Sequence, residues 1–144
     1  MNILFLDQFR EPGGAQQCLR DLLPAVEARG WTATVAAPGD GGIRLGPFHS
    51  GRKSIRDVIL FARQMPALRR EIEKRPADLI YVNGPRLLPA VPAGRPVIFH
   101  CHSFLDKRYA VWLALGSIRR TCATVIGACR FVLEPLRPAP AHVV

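Results

Sequence analysis

The sequence lacks any apolar run that approaches the ~20 residues of a membrane-spanning helix. Its first residues, MNILFLDQFR, carry no basic leader and reach Asp7 after a short apolar run, which is not the pattern of a secretory signal. The four cysteines form no C-x-x-C pair, so the spacing favours reduced, mostly buried thiols over a disulfide framework. We therefore expect a soluble, cytoplasmic protein.

Acidic residues are also scarce, because the chain has 11 of them against 20 basic residues. Eight basic residues lie between Arg52 and Arg75, and five more lie between Lys107 and Arg130 with no acid among them. Such patches attract nucleic acid, an anionic membrane or phosphorylated small molecules. Phe61 is the only aromatic residue of the first patch, and single-stranded nucleic acids stack on aromatic side chains. The sequence therefore disfavours nucleic acid as the partner.

Five short apolar runs recur along the chain, and each predicts a β-strand: residues 2–7, 32–38, 78–83, 96–102 and 123–128. They are apolar almost without alternation, as parallel strands covered on both faces are. Segments of helical period separate them; the first ends at Gly30, and the second runs from Ile55 to Ile72 with Pro66 as a kink or break. This alternation predicts an α/β fold, a Rossmann-like parallel sheet with helices on both faces.

Two stretches have no regular period. Residues 38–53 are rich in glycine and predict a surface loop at the same sheet edge as Gly13 and Gly14. The final stretch, LEPLRPAPAHVV, has three prolines and then the beginning of another apolar run at residues 142–144. We expect residues 1–144 to be one domain cut or truncated from a longer protein.

Open parallel sheets bind ligands beyond the carboxyl ends of their strands, and several loops there carry usable groups. Arg10, Gly13 and Gly14 follow the first strand, where backbone N–H groups at a helix start can hold a phosphate or another anion. The spacing is not G-x-G-x-x-G, so a simple tight turn is the alternative. Asn83 and Gly84 end the third strand at the same edge, although Asn-Gly is also a common turn.

His100 and His102 bracket Cys101 at the end of the fourth strand, so period two places both histidines on one face. A zinc site needs at least one more ligand, which no C-x-x-C or H-x-x-x-H motif supplies, and we predict no metal. The pair is either a hydrogen-bonded structural pair or, at His102, a site residue that orients a substrate hydroxyl.

Two other chemistries find little support. Residues 46–54 nearly match the phosphate loop G-x-x-x-x-G-K-[ST], but Arg52 separates Gly51 from Lys53. No G-x-S-x-G elbow is present, so hydrolase chemistry is not indicated.

Several segments together resemble the amino-terminal half of a family 4 glycosyltransferase of GT-B architecture: ILFLDQFREPGGAQQCLRDLLPAVEARGWTATVAAP, ADLIYVNGP, RPVIFHCHS and TVIGACRFV. The resemblance covers roughly residues 1–37 and 77–132. Its most specific pieces are the P-G-G-A turn after the first strand, EARGW before the second, and a histidine that closes the fourth.

The resemblance implies one half of a two-domain enzyme that transfers a sugar with retention of its anomeric configuration. The missing carboxyl-terminal domain would bind the nucleotide-sugar donor, and this half would bind a sugar or lipid-linked acceptor; no cofactor is implied. Gly14 would lie against the donor diphosphate or the acceptor, and His102, the expected catalytic residue, would contact hydroxyls of the transferred sugar. Gln16, Ser103 and Cys129 replace residues that are frequent in the family, and its donor-side glutamate pair, with seven residues between the two, is absent.

We expect the chain to be inactive alone, because transfer needs donor and acceptor in one cleft. The alternatives are a non-catalytic Rossmann-like module that binds a nucleotide or a protein, and a nucleic-acid-binding domain. We also expect the segment from Arg52 to Arg75 to meet an anionic membrane, against the alternative of a solvated basic face on a helix packed to its own sheet.

Overall fold

The computed structural model describes residues 1–9, 13–37, 55–121 and 123–144, and within the second helix it leaves out the side chains of residues 55, 57 and 58. The predicted loop at residues 38–53 and the near-match to a phosphate loop at residues 46–54 lie outside the described residues.

The described chain builds one sheet of six parallel strands in the order β2-β1-β3-β4-β5-β6. The strands are β1 (Asn2–Asp7), β2 (Thr32–Ala36), β3 (Leu79–Asn83), β4 (Val97–Cys101), β5 (Thr124–Gly127) and β6 (Ala141–Val143). All five predicted strands are confirmed. The apolar run after the prolines supplies the sixth, which pairs with β5.

Within the described ranges, four α-helices connect or follow the strands: α1 (Gly14–Glu27), α2 (Ile55–Glu73), α3 (Arg108–Thr121) and the short α4 (Arg130–Leu133). Turns of 3-10 helix lie at Leu88–Ala90 and Glu134–Leu136. The predicted break at Pro66 is wrong, because α2 continues through it. A proline removes one helical donor, and the burial of Leu68 and Ile72 beyond it anchors the second half of α2 in the core.

Helices cover both faces of the sheet, which confirms the predicted Rossmann-like architecture. On one face α1 packs Leu19 and Val26 against Ile3, Phe5 and Tyr81. On the other face a larger core includes residues of α2, α3, α4 and the 3-10 turn at Leu88–Ala90.

The chain reverses its direction across the sheet at β1, since β2 lies on one side of that strand and β3 on the other. Crevices at such switch points, beyond the carboxyl ends of the strands, are the ligand sites of open α/β sheets. Register places Asp7 beside Asn83, and Asn83 beside His100. Because side chains alternate along a strand, these three residues and His102 share the face that α1 covers.

The cysteines differ from expectation in their exposure. Cys101 is buried in the larger core, but Cys18 on α1 and Cys129 before α4 are exposed, so the prediction of mostly buried thiols is wrong for two of the three described cysteines. In the described part of the chain, no helix combines the length and apolarity needed to cross a membrane.

Candidate functional site

Three polar side chains form a line across the carboxyl ends of β1, β3 and β4. His102 Nε2 lies 2.7 Å from Asn83 Oδ1, and Asn83 Nδ2 donates to Asp7 Oδ1 over 3.3 Å. Asp7 and Asn83 are buried, whereas His102 is half-buried at the rim. The line therefore connects an inner carboxylate to an imidazole that reaches the edge of the sheet.

The first turn of α1 closes over this line. Asn83 Nδ2 also donates to the carbonyl oxygen of Ala15 over 3.2 Å, and Gln16 Nε2 donates to Asp7 Oδ1 over 2.9 Å. Asn83 is only 1% exposed, and both ends of its amide are engaged within the chain. Its predicted binding role stays a prediction, and the structure places the side chain behind the rim.

His100 and His102 stack with their ring centroids 3.7 Å apart, which confirms that the two histidines share one face. Cys101 between them points into the opposite core, also as predicted. The Tyr81 hydroxyl lies 2.5 Å from His100 Nδ1. Burial, followed by the neighbouring His102, lowers the pKa of His100 to about 4. Burial also lowers the pKa of His102, against an opposing effect of Asp7, so both rings are neutral at pH 7.

The backbone of the chain itself does not require the glycine pair after β1. Gly13 is the N-cap of α1 in an extended conformation (φ −157°, ψ 176°), which other residues adopt readily. Among the described residues, a Cβ at Gly14 would meet no atom within 4 Å, and one at Gly13 would approach the flexible Gln16 side chain. The first turn of α1 holds no acid, and its leading N–H groups have no partner within the helix. Open space therefore lies over an anion-compatible helix start.

The presence of glycine at position 84, by contrast, is explained by contacts within the chain. Its φ is +119°, and a Cβ there would collide with the side chain of Gln8. Gln8 Oε1 in turn accepts from the backbone N–H of Arg86 over 3.1 Å, and the Arg86 guanidinium lies 4.7 Å from the ring centroid of Phe9. The glycine thus lets β3 turn tightly against the loop after β1, and its predicted contact with substrate stays a prediction.

Other features of this edge have no counterpart among the predicted site residues. Asp7 anchors the line, and the signal for it was a single carboxylate ending an otherwise apolar strand. Phe104 after β4 and Phe131 at the start of α4 stack with their ring centroids 4.5 Å apart, and both are exposed.

Arg10, a predicted site residue, lies outside the described residues. Within the described ranges, no group of three His, Cys, Asp or Glu side chains is arranged to hold a metal ion.

A parallel α/β sheet with open backbone after β1, at its switch point, and a rim histidine after β4 defines a Rossmann-like domain of the kind that carries ligands at the carboxyl edge. The sequence model of the family described as Glycosyltransferase Family 4 matches residues 12–143. The chain therefore belongs to glycosyltransferase family 4, and the resemblance drawn from its motifs is confirmed. No curated protein matches the chain.

Proposed function

We propose that residues 1–144 are the acceptor-side domain of a retaining glycosyltransferase that uses a nucleotide-sugar donor. The observation that carries the proposal is the glycine pair at the start of α1, beside the rim histidine. The described part of the chain leaves room for a side chain at Gly14, which favours a ligand as the reason for glycine there. A phosphate or a sugar fits that place, because helix N-termini attract anions and bare backbone permits close approach.

The roles follow from this placement. Gly13 and Gly14 hold a phosphate or a sugar against backbone N–H groups, and His102 contacts a hydroxyl of the transferred sugar. Asn83 and Gly84 shape the floor of the site. Arg10, which the structure does not describe, is expected from its place in the sequence to contribute a positive charge. A donor-binding domain completes the cleft, since the sequence holds no glutamate pair with the family's spacing.

Saturation-transfer NMR with UDP-glucose and GDP-mannose as probes tests the proposal on the 144-residue chain. We expect weak binding of at least one probe through its sugar and diphosphate protons, with no release of free nucleotide. Gly14→Val should abolish the transfer, whereas Gly116→Ala, on exposed α3 surface with open space at its Cβ, should leave it unchanged. Equal binding by the Gly14→Val variant, or no binding of either probe, would contradict the proposed site; nucleotide release by this chain would contradict its inactivity alone.

We also propose that this domain sits in the cytoplasm as a peripheral protein, with α2 and α3 facing an anionic membrane. Crossover helices run antiparallel to parallel strands, so the first halves of α2 and α3 both lie toward the carboxyl edge, on one face of the sheet. There Ile59 and Leu60 are 50% and 55% exposed, and Trp112 is 73% exposed. In the second half of α2, by contrast, Leu68 and Ile72 are buried in the core against the sheet.

Basic side chains lie along both helices. The exposed ones are Arg56, Arg63, Arg70, Arg108, Arg119 and Arg120. Of these, Arg56, Arg63 and Arg108 lie in the same halves of the helices as the apolar residues, whereas the other three lie in the last turns. Each basic residue near an anionic surface contributes about 1 kcal/mol, and tryptophan partitions well to the membrane interface. Lys53 and Arg52, which belong to the predicted segment, lie outside the described residues.

Co-sedimentation with anionic and neutral vesicles, at low and moderate ionic strength, tests this proposal. Binding should require anionic lipid and weaken with salt. Trp112→Ser should reduce it several-fold, whereas Trp31→Ser, at the opposite edge before β2, should not. Equal effects of the two substitutions, or tighter binding to duplex DNA than to vesicles, would remove the membrane as partner.

A further inference from the structure

Asn83 has a fixed orientation, because of what surrounds its amide. Nδ2 faces two oxygens that only accept hydrogen bonds, Asp7 Oδ1 and the carbonyl oxygen of Ala15. Turning the amide over would place Oδ1 against both and lose both bonds. Oδ1 must therefore face the remaining neighbour, which is Nε2 of His102 at 2.7 Å.

This orientation determines where His102 carries its proton. An amide oxygen cannot donate, so His102 Nε2 must be the donor in that hydrogen bond. In a neutral imidazole the other ring nitrogen then holds a lone pair and accepts. Among the described residues, Nδ1 of His102 has no hydrogen-bond partner, and the residue is half-buried at the rim.

We propose that Asn83, anchored by Asp7, is a positioning residue that holds His102 with its proton on Nε2, so that Nδ1 accepts a hydrogen bond from a ligand hydroxyl. This inference rests on the proposed function for the identity of the ligand as a sugar. It deepens that function by stating which chemical group His102 selects: a hydrogen-bond donor. A carbonyl or phosphate oxygen, which only accepts, would meet a lone pair at the same position and be rejected.

The hydrogen bonds that Asp7 accepts explain why a buried carboxylate lies behind the rim histidine. Asp7 Oδ1 also accepts from Gln16 Nε2 in α1, so the same oxygen joins the helix start to the amide. Movement of α1 away from β1 would break the Gln16 bond to Asp7 and the Asn83 bond to Ala15, whereas the bond from Asn83 on β3 to Asp7 on β1 would remain. The helix start that carries Gly13 and Gly14 therefore supplies one of the two oxygens that orient the Asn83 amide.

Long-range ¹H–¹⁵N correlation spectra of histidine-labelled chain at pH 7.5 test the inference, since they report which ring nitrogen bears hydrogen. The signals of His102 are assigned by their loss in His102→Ala. We expect the Nε2–H form in the wild-type chain, and a mixture of tautomers in Asn83→Leu, which lacks the acceptor. Tyr81→Phe is the matched control; it removes the hydroxyl beside the stacked His100 and should leave the His102 tautomer unchanged.

A wild-type spectrum dominated by the Nδ1–H form would overturn the inference, whichever variants fold. So would an Asn83→Leu spectrum identical to that of the wild type. Neither result bears on the transferase proposal, which is tested by binding of UDP-glucose and GDP-mannose and by the Gly14→Val variant. Conversely, absence of binding by either probe would leave the measured tautomer intact and remove only the sugar as its ligand.

Discussion

The buried imidazole of His100 makes the fold sensitive to acid. Only 8% of the residue is exposed, its Nδ1 meets the Tyr81 hydroxyl, and its ring stacks on His102. Burial, and then the neighbouring His102, lowers the pKa of His100 from 6.5 to about 4. The His100 imidazole therefore binds a proton less readily in the folded state than in the unfolded chain.

The sign and size of the effect follow from this difference. Between pH 6.5 and pH 4 the unfolded state binds more protons than the folded state, so the free energy of unfolding decreases as the pH falls. The whole shift corresponds to roughly 3 kcal/mol, and about 2 kcal/mol of it is lost between pH 7 and pH 5. That is a large share of the 5–15 kcal/mol typical of a domain.

Urea unfolding followed by far-UV circular dichroism at pH 7, 6 and 5 measures this loss. The comparison variant is Tyr81→Phe/His100→Leu, which removes the imidazole together with its hydroxyl partner. Other titrating groups contribute to both proteins, so their effects cancel. The wild-type chain should lose about 2 kcal/mol more than the variant between pH 7 and pH 5. Equal losses in the two proteins would refute the neutral, acid-sensitive state of His100.

Three further predictions concern the edge of the sheet. Gly84→Ala should destabilise the chain by about 2 kcal/mol or more, because φ is +119° and the Gln8 side chain occupies the place of the new Cβ. Gly94→Ala, where φ is +92° and the described residues leave open space, should cost about 1 kcal/mol, and thermal or urea unfolding measures both. Equal costs would argue against the contact with Gln8. His102→Ala, in an enzyme that joins this chain to its donor-binding domain, should lower turnover at least about tenfold with an unchanged circular dichroism spectrum, and wild-type turnover would return His102 to a structural role. Gly14→Val should leave the unfolding midpoint nearly unchanged while it removes turnover, since the added side chain enters space that the chain leaves open; a fully active variant would show that no ligand approaches there.

The sequence was sufficient to predict the strands and the parallel sheet. Parallel strands buried on both faces must be almost wholly apolar, so they are visible in composition alone. Period two was likewise enough to place His100 and His102 on one face and Cys101 on the other. The family motifs lie at the ends of the strands as short contiguous segments, and they were sufficient to identify the family.

Only the tertiary structure decided which polar groups meet. Asp7, Asn83 and His102 lie on three strands far apart in sequence, and the register of β1, β3 and β4 brings them into one line. Asn83 and Gly84 are adjacent in sequence but have different surroundings. The Asn83 side chain donates a hydrogen bond to Ala15 in α1, whereas Gly84 packs directly against the side chain of Gln8. The exposure of Ile59, Leu60 and Trp112 was likewise not visible in the periodicity of the two helices. The local sequence pattern determines which segments become strands or helices. Packing between segments that are far apart in sequence determines which residues the ends of those segments contact.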